Sequence, residues 1–133
     1  MIEDIYPEGW QQTRGFYSPA KKIDLGNAYL IFVSGQQARK NENHEVFSTD
    51  IELQTEDVFI QINEILKAAG ASMENVVKAV LYFTDLENDF KKVSEIRDKW
   101  FAISAPISTC VSCNGFSRKG AKIEIEVTAI KEK

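Results

Sequence analysis

The densest apolar stretches of the chain, Ala28–Ser34 (AYLIFVS) and Val76–Phe83 (VVKAVLYF), carry apolar side chains at both parities. Runs of that kind predict strands buried on both faces. Lys21–Leu25 with the turn signal Gly26-Asn27 predicts the other arm of a hairpin ending in the first run. In Lys122–Ile130, Ile123, Ile125, Val127 and Ala129 alternate with Glu124, Glu126 and Thr128, the pattern of a strand with one apolar face. Ile107–Cys113, entered after Pro106, is a short β-branched run and predicts a further strand. The helical period occurs twice. Val58, Ile62, Ile65, Leu66 and Ala69 follow a cap at Thr49 or Asp50 and stop at Gly70. Phe90, Val93, the stem of Arg97, Trp100 and Phe101 follow the capping segment Asp85–Asp89. Residues 1–20, broken by Pro7, Gly9, Gly15 and Pro19, read as an irregular lead-in, Gly35–Ser48 as a polar loop and Ser72–Asn75 as a connector.

The predicted order is strand-strand-helix-strand-helix-strand-strand, one α+β domain spanning 1–133. Two helices cover one face of a sheet, yet the central strands are apolar on both. The second face needs a cover that the chain does not contain, and a large exposed apolar sheet marks an interface. An obligate oligomer is expected on this ground alone.

Charge and composition narrow the function classes. Sixteen Lys and Arg against twenty Asp and Glu leave a net charge of −4, with no basic stripe for nucleic acid. No apolar run approaches the ~20 residues of a membrane span. Met1–Trp10 is acidic and polar, unlike a signal peptide, so the expected compartment is the cytoplasm. Cys110 and Cys113 form a C-x-x-C that reads as a redox pair, half a zinc site, or two independent thiols. Residues three apart on a strand point to opposite faces, and His44 is the one histidine available to complete a zinc site. Two independent thiols are expected, with no metal.

Phosphate-binding glycine loops, H-E-x-x-H and G-x-S-x-G are absent, and His44 lies among Asn and Glu in the polar loop. A general acid or base must then be a carboxylate or a thiol. Glu124 and Glu126 stand on one strand face between apolar residues, where a carboxylate can take a raised pKa. Periodicity alone favours the plainer reading, two solvent-facing residues of an edge strand.

The chain also carries GFYSPA (15–20), VSGQ (33–36), DIELQT (50–55), AAGASMENVVK (68–78), TDL (84–86) with NDF (88–90), and KIEIE (122–126). In order and spacing, from about Gly15 to Ile130, these motifs resemble those of the RidA (YjgF) family of small trimeric proteins. The resemblance implies a chorismate-mutase-like two-layer fold, a mixed β-sheet with two helices on one face. It also implies a homotrimer whose sheets form a central barrel, and small-molecule clefts between subunits. Its best-known chemistry is hydrolysis of enamines and imines such as 2-aminoacrylate to 2-keto acids and ammonia, without metal or organic cofactor. A ribonuclease role, attached to some members by name, finds neither a basic surface nor a histidine pair here.

Carried over by position, the cleft would hold Tyr17, Ser34, Gly35, Asn88, Ser108 and Thr109. Glu124 would orient the water, and Cys110 with its backbone would meet the imine carbon. Deaminating members carry an arginine in a Pro-Ala-Arg-Ser segment that grips the substrate carboxylate. Here the segment is Pro106-Ile107-Ser108-Thr109, so Ser108 stands where the arginine is expected. Phe16 and Ile107 make the cleft bulkier and more apolar. Poor use of 2-imino acids is expected, unless another cation substitutes; Arg14 is the nearest in sequence to the Gly15 motif, while Arg39 and Arg118 lie in loops.

Overall fold

The computed structural model describes residues 1–13 and 15–133. Helix α1 (Ile51–Ala68) begins where its sequence supplies a cap: the Asp50 carboxylate accepts from the backbone N–H groups of Glu52 (2.8 Å) and Leu53 (3.3 Å). It ends at Gly70, whose φ of 81° lets the chain turn back so that the Ala71 N–H reaches the Leu66 carbonyl at 2.8 Å. Val58, Phe59, Ile62, Ile65 and Leu66 are fully buried on the inner face of α1. Helix α2 (Leu86–Trp100) is capped by Asp85, which accepts from the Asn88 N–H, and buries Val93 and Ile96. Ile96, absent from the predicted stripe, takes the inner position, while Phe90 remains 43% exposed. No helix among the described residues is long and apolar enough to cross a membrane.

The strands are β1 (Ile2–Ile5), β2 (Ala20–Asp24), β3 (Ala28–Gln36), β4 (Val76–Phe83), β5 (Ile107–Ser112) and β6 (Ile123–Glu132). They form one mixed sheet in the order β1-β2-β3-β6-β4-β5, with β4 and β5 parallel and every other pair antiparallel. Two expectations are corrected. The lead-in is not wholly irregular, because Ile2–Ile5 pairs with β2. Its IEDI sequence has too little apolar alternation to announce a strand; the backbone ladder makes it one. Glu124 and Glu126 are not on an edge strand either. The last strand in sequence inserts between β3 and β4, with its apolar face toward the helices. The strand β3 also runs on through Gly35 to Gln36, into what the polar pattern marks as loop.

Both helices pack on one face of the sheet, over Ile31, Val33, Ala79, Leu81, Phe83, Ile123, Ile125 and Val127. On the opposite face Leu30, Val80, Tyr82, Glu124, Glu126 and Thr128 are half-buried, and Phe32 is 46% exposed. That second face mixes the apolar side chains of β3 and β4 with the carboxylates of β6, and it is open in the single chain.

Candidate functional site

The register separates the expected site residues into two groups. Cys110 pairs with Leu81, and Leu81 with Ile125, so Cys110 faces the helices. Ser108 pairs with the buried Ala79 and has the same orientation. Thr109 is one residue on and faces the open side. Glu124 pairs with Tyr82, and Tyr82 with Val111, so Glu124 also projects from the open face. The Cys110 and Glu124 side chains therefore lie on opposite faces of one sheet.

The first group gathers where β3 ends. A register shift between Val33 and Gln36 bulges β3 and turns Gly35 toward β6. Glu124 folds over that glycine so closely that a Cβ at position 35 would lie 2.8 Å from its carboxyl carbon. The Gln37 Nε2 donates to Glu124 Oε1 at 2.8 Å and fixes the carboxylate from the other side. The Ser34 hydroxyl donates to the Ser18 carbonyl at 2.8 Å, and the Tyr17 carbonyl accepts from the hydroxyls of Tyr6 and Thr13. The Tyr17 ring is 63% exposed. Tyr17, Ser34 and Gly35 line a pocket of about 250 Å³ together with Trp10, Gln37 and Arg118.

The second group lies along β5 under α2. Cys110 is partly buried against the core, and that burial pushes its thiol pKa up against the opposing pull of the Arg97 guanidinium. Ser108 lines a cavity with Arg97, Phe101 and Pro106. The Arg97 Nε donates to Asp98 at 3.0 Å. Cys113, just past the strand, approaches the Gly115 carbonyl, and both thiols are free. Asn88 joins neither group: its amide donates to both Asp85 oxygens, at 3.2 and 2.9 Å, in the first turn of α2. Arg14 lies outside the described residues. His44, at φ 62° in the 41–45 turn, is exposed and far from a catalytic arrangement.

Gln37, Gln61 and Tyr82 carry no site signal of their own in the sequence, where Arg118 stands out only as a loop cation. Gln37 adjoins the VSGQ motif, which was the available signal. Gln61 holds the Gln37 carbonyl at 2.8 Å from α1, and no local pattern foretells that. Tyr82 donates its hydroxyl to Glu126 Oε1 at 2.5 Å, and the carboxylate, more than the accompanying burial, pushes the phenol pKa up to about 12.

The profile of the family described as Endoribonuclease L-PSP matches residues 11–131. The chain belongs to this family, known as RidA or YjgF. A RutC family protein of Pyrococcus abyssi is 39% identical over 98% of this chain and 98% of its own length. A human 2-iminobutanoate/2-iminopropanoate deaminase is 33% identical over 87% of this chain and 80% of its own. Among solved structures, a proposed endoribonuclease of Thermotoga maritima superposes with a TM-score of 0.84 at 32% identity, covering 100% of both chains. Two helices on a mixed six-stranded sheet thus constitute the RidA fold in this chain, and its relatives include reactive-intermediate deaminases.

Proposed function

We propose that this RidA-family protein is a homotrimer with a small-molecule cleft between neighbouring subunits, and that it hydrolyses 2-imino acids poorly. The observation that carries the reading is the division of the site by the sheet: Glu124 with Gly35 projects from one face, and Cys110 with Ser108 from the other. A cleft using both groups takes one wall from each of two chains. The open apolar face supplies the surface on which those chains meet.

Ser108 limits what that cleft can grip. A hydroxyl cannot offer the two parallel, charge-assisted donors of a guanidinium to a substrate carboxylate. Each such bond is worth about 1.5–3 kcal/mol in a partly desolvated site. The loss in kcat/KM for a 2-imino acid is therefore about tenfold to several hundredfold for one such bond, and more where both are lost. Relatives named as 2-iminobutanoate/2-iminopropanoate deaminases favour the competing reading of a working enamine/imine deaminase with a substitute cation.

Keto-acid release from imines generated by an amino-acid oxidase separates the two. The wild type is expected to match an inert protein control. The double variant Ile107→Ala with Ser108→Arg is expected to gain activity, and Glu124→Ala on top of it to abolish the gain. A brisk wild-type rate would instead establish the deaminase reading.

A further inference from the structure

Arg118 occupies an unusual position among the arginines of the described residues. Arg39 is engaged by Asp57 at 3.1 Å and Glu64 at 3.4 Å, and Arg97 by Asp98 at 3.0 Å. Arg118 has no carboxylate within ion-pair range. Its Nη1 donates to the backbone carbonyls of Gln37 (3.3 Å) and Ala38 (2.8 Å), which hold the guanidinium half-buried against the end of β3. The Nε and Nη2 groups carry no hydrogen bond to any described residue. Those two groups form the edge of a guanidinium whose parallel N–H bonds match the two oxygens of a carboxylate.

Arg118 lines the pocket described above. Among the described residues it is the one charged side chain on the wall it shares with Tyr17, Ser34, Gly35 and Gln37, and Trp10 supplies an aromatic flank. Gln37 ties the segment that carries Arg118 to Glu124: its Oε1 accepts the backbone N–H of Arg118 at 3.1 Å while its Nε2 donates to the Glu124 carboxylate at 2.8 Å. In a chain of net charge −4 an anion has no general attraction to the surface, so a site for one must be local.

We infer that Arg118 is the carboxylate anchor of this pocket: a small organic carboxylate binds through the Nε–Nη2 edge, with an apolar or aromatic body toward Trp10 and Tyr17. The inference rests on the reading above in taking this pocket as one wall of the cleft, and there Arg118 is the substitute cation of the competing reading; one chain carries every group it names. It moves the anchor from β5, where Ser108 cannot serve, to the segment leading into β6.

Amide chemical shifts of the full-length protein, followed during titration with benzoate and with its neutral isostere benzamide, test it. Benzoate is expected to give a saturable response centred on Gln37, Ser117 and Arg118, and benzamide at the same concentration a response at least tenfold weaker. Arg118→Gln is expected to weaken benzoate at least tenfold, and Arg118→Lys less, because an ammonium is a single point charge. The wild-type contrast between the two probes stands even if a variant is misfolded. No saturable benzoate response, equal responses to both probes, or shifts centred on Ser108–Cys110 would each overturn the assignment. Neither imine hydrolysis nor oligomeric mass is read here, so the two proposals fail separately.

Discussion

At the residue scale, the open sheet face carries a hydrogen bond whose consequence can be titrated. Tyr82 gives its proton to a contact with Glu126, and ionising the phenol would place two negative charges 2.5 Å apart. Its pKa rises from the ordinary ~10 to about 12. A group whose folded pKa lies above its unfolded one contributes stability that is complete below the unfolded value. The contribution of Tyr82 is thus present up to pH ~10 and is lost as pH rises through about 12. In an alkaline absorbance titration, subtracting Tyr82→Phe from wild type should isolate one phenolate with its midpoint near about 12. A midpoint near ~10 would show that the carboxylate contact does not persist in solution.

At the scale of elements, Phe59 is the joint between the helices. It is fully buried, stacks on Trp100 at 5.7 Å between centroids, and meets the edge of Phe101 at 5.3 Å. Phe59→Ala removes the shared partner of both rings and should cost about 3–5 kcal/mol in denaturant unfolding. This helix pair was legible in the sequence, because the caps Asp50 and Asp85 and the stripe around Val58 and Ile62 are local signals. The hairpin, β4 and the alternation of β6 were legible for the same reason. Strand position was not: nothing in KIEIE tells that β6 enters between β3 and β4, since that is set by pairing partners far along the chain. Gln54 is the clearest side-chain example. A polar residue in the first turn of α1, it is fully buried and bonds the Ser48 and Gly120 carbonyls and the Lys122 N–H. The family motifs marked Glu124 and Gly35 as site residues. Their mutual contact, with Gln37 as clamp, arises from a bulge that the VSGQ letters do not spell.

At the scale of the whole molecule, the open face and the divided site are the two features on which the proposed homotrimer rests. Light scattering behind a sizing column should give about three times the 15.1 kDa chain mass, and a stable, soluble monomer would refute the homotrimer. The sheet order has a second effect. Among the described residues no strand pairs with the outer side of β5, and ISTCVS carries neither a charge nor a proline. The opposite border, β1, is only four residues long and bears Glu3 and Asp4, features that blunt an edge. Newly made chains therefore present one unguarded row of backbone donors and acceptors, a template for any extended segment that arrives first. In the proposed homotrimer the hazard of aggregation falls in the interval between folding and assembly, and it grows with whatever lengthens that interval.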